Sequence, residues 1–174
     1  MGISYLLSGR INKIIITRPT IPADEDIGFL PGTLEEKMAP WLIPIFDIFY
    51  EHYSNSEVKN MVSNKIIEIS PLAYMRGRTL KNAWIIADEM QNTTINQMKM
   101  MLTRIGENSR IICTGDLKQH DRLKSRNEVN GLQDFIEKFD DCEIKSNKIK
   151  IIKFTKNDVE RSVIVKDILD LYGE

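Results

Sequence analysis

Short isoleucine-rich runs alternate with longer amphipathic stretches along the 174-residue chain. These runs predict buried strands at residues 13–17, 65–70, 83–87, 110–114 and 148–154. Residues 33–64 predict helices, the first bent or divided by Pro40 and Pro44, and residues 94–105 and 131–139 predict two more. Strands that alternate with helices form mainly parallel sheets, because each crossover lays a helix on a face of the sheet. The pattern therefore predicts an α/β fold.

Composition narrows the class of protein. The chain is 42% hydrophobic and 28% charged, with a formal net charge of −1, which excludes global disorder and a uniformly basic surface. No apolar run approaches the roughly 20 residues that a membrane-spanning helix needs, and no secretory leader is predicted. Cys113 and Cys142 form no CxxC pair, so we expect buried, reduced thiols and a cytoplasmic protein.

Polar residues follow three of the predicted strands. They lie at residues 17–18, 88–89 and 114–116. Parallel strands end on the same edge of a sheet, and ligands bind in the crevice beyond those carboxyl ends. With right-handed crossovers, Asp88 and Asp116 are expected to share that edge.

The Asp-Glu pair after the third strand has the form of a Walker B element. Asp88 would hold Mg²⁺, which prefers oxygen ligands, and Glu89 would orient or deprotonate the attacking water. The alternative is that both acidic residues only favour the start of the following helix. Asp116, with Gln119 three residues later, supports the functional interpretation, because a carboxylate and an amide beside a nucleotide could sense its γ-phosphate.

Basic residues outside the strands form the second group of candidates. Arg76 and Arg78 flank Gly77, and a fork of guanidinium groups suits phosphate. Arg104 is expected at the end of a helix. It could contact a ligand, or it could be there only because a cation interacts favourably with the C-terminal end of the helix dipole. Residues 118–126 are the most basic patch of the sequence, and their candidate contacts to a nucleic-acid backbone are Lys118, Arg122 and Lys124. The alternative is that these charges belong to an ordinary solvated loop.

Taken together, these motifs resemble the PhoH-like family of P-loop ATPases, of the phosphate-starvation-inducible type, whose core is similar to that of superfamily 1 helicases. The resemblance runs from about residue 9 to the end of the chain. Its most specific strings are PLAYMRGRTL at residues 71–80 and DEMQNTT at residues 88–94. The remaining matching strings are TRP at 17–19, GFLPG at 28–32, EEKM at 35–38, QMKM at 97–100, LTR at 102–104, TGD at 114–116 with Gln119, and residues 158–161.

The resemblance implies a RecA-like P-loop NTPase core as a single domain over residues 1–174, with a helical insertion at about residues 33–64. It implies ATP and Mg²⁺ as cofactors, RNA or single-stranded DNA as a partner, and a homo-oligomeric ring. Arg161 would stabilise charge at a neighbouring subunit's site. A cation in the first turn of the final helix is otherwise disfavoured by the helix dipole. The implied nucleotide contacts are Thr17, Arg18, Asp116 and Arg104.

One departure from the family pattern is large. The family begins with a strand and a GxxGxGK[ST] phosphate loop, which supplies backbone N–H groups, a lysine and a Mg²⁺-binding hydroxyl. The 174 residues contain no such motif, so the chain resembles a member cut just after its Walker A element. A gene fragment, a misassigned start, a split gene and a degenerate paralogue all remain open.

Three functions follow from these residues. The first is an ATPase that acts on RNA or DNA, and the second is a non-enzymatic remnant with an assembly or nucleic-acid surface. The third is a Mg²⁺-dependent nuclease with Asp88, Glu89 and Asp116 as its carboxylate cluster. By resemblance the phosphate-loop strand lies between residues 110–114 and 148–154. Without it, either those two strands pair directly or residues 110–114 present an unpaired edge.

Overall fold

The computed structural model describes residues 1–19, 34–118, 130–143, 146–155, 158, 164–165, 168 and 171. The chain divides into two units, residues 1–140 and residues 141–174. The strands and the α-helices are, in chain order, α1 (Gly2–Leu7), β1 (Lys13–Thr17), α2 (Leu34–Tyr50), α3 (Asn55–Ser63), β2 (Ile67–Ile69), β3 (Ala83–Ala87), α4 (Ile95–Leu102), β4 (Arg110–Cys113) and α5 (Gly131–Asp141). Two short 3₁₀ helices, Leu72–Met75 and Met90–Asn92, follow β2 and β3.

The four strands form one parallel sheet in the order β2-β1-β3-β4. The predicted α/β class is therefore confirmed, and the bounds of β1 and β3 agree with the sequence pattern. Ile15 of β1 lies opposite Glu68 of β2 and Ile85 of β3, so the central strands are hydrogen-bonded on both sides. In the part of the chain that the structure describes, β4 is an outer strand, which is the second of the two edge arrangements expected above.

Alternating side chains of the central strands build two cores, one on each face of the sheet. Ile15 and Ile85 point to a core with Met98 and Met101 of α4. The core on the opposite face consists of eight buried residues: Ile11, Ile14, Ile16, Leu42, Phe49, Val58, Ile67 and Trp84. Trp84 is thus a core aromatic, 8% exposed.

Two predicted helices differ in part from the structure. The helix α2 is continuous over Leu34–Tyr50, so Pro40 and Pro44 do not divide it, and a bend at either proline stays a prediction. The helix α4 spans Ile95–Leu102, shorter than the predicted 94–105, and Thr103 caps it, with its hydroxyl donating to the Lys99 carbonyl at 2.9 Å.

Residues 148–154 do not form the predicted strand. The Lys148 N–H donates to the Ser146 hydroxyl at 3.2 Å, and the Ile149 N–H donates to the Ser146 carbonyl at 3.2 Å. These bonds close a turn and remove two donors from any sheet ladder. Within residues 141–174, Asp158 accepts bonds from the backbone N–H and hydroxyl of Thr155 at 2.7 and 2.8 Å, contacts of the kind that cap a helix N-terminus.

The two cysteines differ from each other. Cys113 is half-buried in β4, and burial raises the pKa of its thiol to about 11. Cys142 is exposed, so the expectation that both are buried is wrong for Cys142. Among the described residues, no helix is both long and apolar enough to cross a bilayer.

Candidate functional site

The carboxyl ends of β1, β3 and β4 lie side by side. Thr17 pairs with Ala87, and Ala87 pairs with Cys113, so the residues that follow leave the sheet together. Backbone bonds continue the alignment beyond the strands. The Asp88 N–H donates to the Thr17 carbonyl at 2.9 Å, and the Met90 N–H donates to the Thr114 carbonyl at 2.9 Å. The strand ends thus bring together the three segments that the sequence singled out.

Asp88 leaves β3 half-buried, and its carboxylate is oriented by a neighbouring strand end. One oxygen, Oδ1, accepts a hydrogen bond from the Thr114 hydroxyl. The buried Thr17 hydroxyl, at the end of β1, has no hydrogen-bond partner among the described residues. These hard oxygen donors are the type that Mg²⁺ binds, and one carboxylate plus waters is a common Mg²⁺ arrangement in phosphate-handling sites. The residues present therefore fit a Mg²⁺ ion held by Asp88.

Glu89 occupies a strained backbone conformation. Its φ is +54°, in the left-handed region, and the Met90–Asn92 3₁₀ helix begins directly after it. This conformation costs an ordinary residue of order 1–3 kcal/mol, and such positions cluster at functional sites. This left-handed conformation turns the backbone sharply at the end of β3. The Glu89 side chain is partly exposed at the edge of the sheet.

Gln91 connects the two candidate catalytic segments, and sequence reasoning missed it. Its amide nitrogen donates to Glu89 Oε2, and its amide oxygen accepts the Asp116 N–H at 3.3 Å. The Gln91 side chain is 1% exposed, whereas its partner Glu89 is 36% exposed, so the bridge runs from the buried interior to the edge of the sheet. A polar residue two positions after Glu89 was the available signal, but neither periodicity nor charge distinguishes it from a solvated turn residue.

Gly115 allows this bridge to form. A Cβ atom at Gly115 would lie 2.6 Å from Gln91 Oε1, 2.7 Å from Leu132 Cδ2 and 3.1 Å from the Gln91 backbone nitrogen. Only a residue without a side chain lets the β4 end approach Gln91 this closely. Beyond it, Asp116 Oδ1 accepts the Lys118 N–H at 2.9 Å, which fixes the carboxylate within its own turn.

Arg18, the residue directly after β1, approaches the Glu89 carboxylate from a second side. Its Nη2 atom lies 3.9 Å from Glu89 Oε1, and its guanidinium lies 5.5 Å from the centroid of the Trp41 ring. Its backbone carbonyl accepts the Leu72 N–H at 3.1 Å. Arg18 therefore connects Glu89 to the segment that follows β2.

The two arginines of residues 71–80 have different surroundings. Arg76 is exposed, whereas Arg78 pairs with Glu68 at 2.5 Å. Lys13 lies 3.1 Å from the same carboxylate. Burial alone would raise the pKa of Glu68, but the hydrogen bonds from Arg78 and Lys13 outweigh it and lower the pKa below 4.5. A phosphate would have to compete with Glu68 for Arg78, and a phosphate contact of Arg78 stays a prediction.

Other predicted site residues are less connected. Arg104 lies beyond the end of α4 and donates to the Arg78 carbonyl at 3.2 Å, while its buried Nε has no partner among the described residues. Lys118 is exposed. Four predicted site residues lie outside the described residues: Gln119, Arg122, Lys124 and Arg161.

Comparison with known proteins places this arrangement in a family. The family model described as "PhoH-like protein" matches residues 1–173. The chain belongs to the PhoH-like family. It is 43% identical over 173 residues to the "PhoH-like protein" of Mycobacterium tuberculosis (strain ATCC 25618 / H37Rv), covering 99% of this chain and 47% of the relative. It is 42% identical over 170 residues to "Protein PhoH" of Escherichia coli (strain K12), covering 97% and 46%.

The PhoH-like relative of Bacillus subtilis (strain 168) is 42% identical over 174 residues, with 99% of this chain and 52% of the relative covered. The chain thus spans about half the length of the curated relatives it matches. The PhoH-like match confirms the family predicted from the motifs, and the parallel sheet agrees with a P-loop NTPase-like fold.

The nuclease alternative gains no support from the side chains. A two-metal nuclease needs several converging ligands. Among the described residues, no group of three or more histidine, cysteine, aspartate or glutamate side chains is close enough to hold a metal ion. Asp116 bonds Lys118 and Asp88 bonds Thr114, so the candidate carboxylates serve separate local contacts.

Proposed function

We propose that this PhoH-like domain is the ATP-hydrolysing core of a cytoplasmic protein that acts with RNA or single-stranded DNA. The observation that carries the proposal is the Gln91 bridge, which holds Glu89 beside the backbone of Asp116 at the carboxyl edge of the sheet. A nucleotide hydrolase needs a water-activating carboxylate and a γ-phosphate sensor within reach of each other. The bridge couples one candidate of each kind.

Asp88 would hold Mg²⁺ in this proposal. A bound Mg²⁺ neutralises charge that develops on the phosphates during transfer. The Thr114 hydroxyl donates to Oδ1 of Asp88, which orients the carboxylate. The hydrogen bond engages only Oδ1, so the second carboxylate oxygen of Asp88 would be the one to hold the ion.

Glu89 would accept a proton from the attacking water. Its Oε2 is held by Gln91 and its Oε1 lies 3.9 Å from Arg18, so both oxygens are positioned before substrate binds. Such preorganisation lowers the cost of reaching the transition state. Loss of the γ-phosphate would remove a contact of Asp116, and the Gln91 hydrogen bonds would transmit the resulting shift to Glu89.

Nucleotide affinity should depend on a phosphate loop. The 174 residues contain no GxxGxGK[ST] motif, and without one the backbone nest and its lysine are not supplied. We expect this chain by itself to bind ATP weakly or not at all in calorimetry with Mg²⁺. Micromolar affinity would show that other residues bind the phosphates.

Glu89→Gln provides the decisive test, in a chain preceded by a strand and a phosphate loop. Turnover should fall by at least about 100-fold because the substitution removes the proton acceptor, while ATP binding should be kept because the phosphate loop that binds ATP is unchanged. Glu107→Gln, at an exposed glutamate on the opposite edge of the sheet, is the matched control and should leave turnover unchanged. Full turnover of Glu89→Gln would overturn the proposed mechanism.

A ring would add Arg161 from a neighbouring subunit. In the same extended chain, Arg161→Ala and Glu89→Ala should each be inactive alone. Mixed subunits should regain activity, because some interfaces then combine an intact active site with an intact arginine. Failure of the mixture to regain activity would place the action of Arg161 within its own subunit.

A further inference from the structure

The turn after β2 presents an unusually exposed aromatic ring. Tyr74 is 62% exposed, the highest value for an aromatic side chain among the described part of residues 1–140. It belongs to the Leu72–Met75 3₁₀ helix, in the stretch that we call the arginine turn (residues 71–78). An aromatic ring has a large apolar area, and at this exposure most of the Tyr74 ring is available to a ligand.

The arginine turn is rigidly anchored beneath that ring. Leu72 and Met75, on either side of it in sequence, are 1% and 0% exposed. The Tyr74 N–H donates to the Pro71 carbonyl at 3.0 Å, and the Arg78 side chain is bound to Glu68. Tyr74 is therefore not a loosely placed surface residue, because the backbone that carries it is fixed by the core.

Arg76 provides a cation two residues from the ring. It is exposed, and among the described residues it has no ion pair. Beside it, Gly77 has a φ of +78°, and a Cβ placed there would meet nothing within 4 Å. Among the described residues, the space beside Gly77, next to Arg76 in sequence, is therefore open to an approaching ligand.

We propose that Tyr74 stacks on a base of single-stranded RNA or DNA while Arg76 contacts an adjacent phosphate. This inference rests on the nucleic-acid partner in the proposed function. An aromatic platform with a nearby cation binds single strands with little sequence preference, because every base has a π face. The fixed turn reduces the entropy lost on binding. A duplex keeps its bases stacked on each other, so it offers Tyr74 no face.

The arginine turn is also connected to the proposed catalytic edge. The Leu72 N–H bonds the Arg18 carbonyl at 3.1 Å, and the Arg18 guanidinium lies 3.9 Å from Glu89. A strand bound at Tyr74 would thus lie on a turn that is hydrogen-bonded to Arg18, the residue that pairs with the proposed water-activating carboxylate.

Oligonucleotide binding by the full chain tests the inference. The probes are fluorescein-labelled 12-mers of uridine and of thymidine, and an abasic 12-mer that keeps the phosphates without the bases. Fluorescence anisotropy should show Tyr74→Ala weakening binding to the base-containing strands about 5- to 150-fold, with Tyr74→Phe close to wild type. Binding to the abasic strand should be unchanged by Tyr74→Ala. Tyr50→Ala, at an aromatic 45% exposed on α2, is the matched control.

Arg76→Ala should weaken binding to all three probes alike and reduce the salt dependence by about 0.7 in the log-log slope. Equal binding by Tyr74→Ala and wild type would overturn the stacking site and leave the nucleic-acid partner standing. An equal loss on abasic and base-containing strands would also overturn it. If the chain binds no oligonucleotide, both the partner and the stacking site are wrong, whereas the ATPase proposal is decided separately by Glu89→Gln.

Discussion

Two turns at the carboxyl edge of the sheet are built in opposite ways. The carboxylate turn (residues 88–93) directs side chains at one another, since Gln91 bonds Glu89 and also reaches the Asp116 backbone. The arginine turn fixes its backbone and leaves Tyr74 and Arg76 exposed. In the first, functional groups hold each other in place; in the second, buried neighbours hold the backbone and the functional groups are free.

This contrast predicts where substitutions will cost stability. A network of buried polar groups loses more than one contact when one member changes. Exposed side chains on an anchored backbone can be removed without disturbing the fold. Function and stability should therefore be coupled in the carboxylate turn and separable in the arginine turn.

Gly115→Ala should produce the largest loss of stability. Its Cβ would lie 2.6 Å from Gln91 Oε1 and 3.1 Å from the Gln91 backbone nitrogen. Overpacking of this kind costs about 2–3 kcal/mol, measurable by urea unfolding. Combining it with Gln91→Ala should recover about 1 kcal/mol relative to additivity, because one clashing atom is gone.

Gly77→Ala is the matched glycine in the arginine turn. Its new Cβ would meet nothing within 4 Å, and only the φ of +78° opposes it, so the cost should be about 1 kcal/mol. Equal costs at Gly115 and Gly77 would contradict the difference between the two turns.

Glu68→Gln should produce the next largest effect, by releasing the arginine turn. Glu68 is 16% exposed and accepts from both Arg78 and Lys13. Because folding lowers the pKa of Glu68 below 4.5, its ionised form stabilises the fold above that pH. This contribution, about 1 kcal/mol because Lys13 and Arg78 are 30% and 31% exposed and solvent screens the pairs, is lost as the pH falls through the folded-state pKa.

Urea unfolding at several pH values checks this expectation. Between pH 5 and the onset of acid unfolding, the free energy of unfolding should fall more steeply for wild type than for Glu68→Gln. The variant has no carboxyl group at position 68 to take up a proton. Parallel pH profiles of the two proteins would mean that the ion pair contributes nothing to the anchoring of Arg78.

The sequence predicted the strands better than it predicted these contacts. The bounds of β1 and β3 were correct because both strands are buried on two faces and therefore appear as continuous apolar runs. Residues 148–154 have a similar apolar content, yet they turn at Ser146 and leave Ile152 and Phe154 exposed. Local composition cannot show whether a partner strand is available.

The strand ends located the candidate site, whereas its internal connections could not be predicted. Asp88 and Asp116 follow neighbouring parallel strands, and topology alone brings them to one edge. The role of Gln91 depends on how closely Gly115 approaches it, a distance set by tertiary packing. Likewise, the pairing of Arg78 with Glu68 joins segments that no sequence period relates.

Glu89→Gly compared with Glu89→Ala should reveal the strain in the carboxylate turn. Both variants lose the same carboxylate contacts, so their difference isolates the backbone at φ +54°. Glycine adopts this conformation freely, and we expect the glycine variant to be more stable by about 1 kcal/mol. A more stable alanine variant would mean that the turn relaxes when the side chain is removed.

Tyr74→Ala and Arg76→Ala should have the smallest effects on stability. Tyr74 is 62% exposed, and the turn beneath it is held by Leu72, Met75 and Glu68. Removing either exposed side chain should change the free energy of unfolding by less than about 0.5 kcal/mol, with an unaltered urea dependence. A loss above about 1 kcal/mol in either variant would show that the side chain supports the fold. The arginine turn would then resemble the carboxylate turn, and any weaker nucleic-acid binding by that variant would have a structural cause.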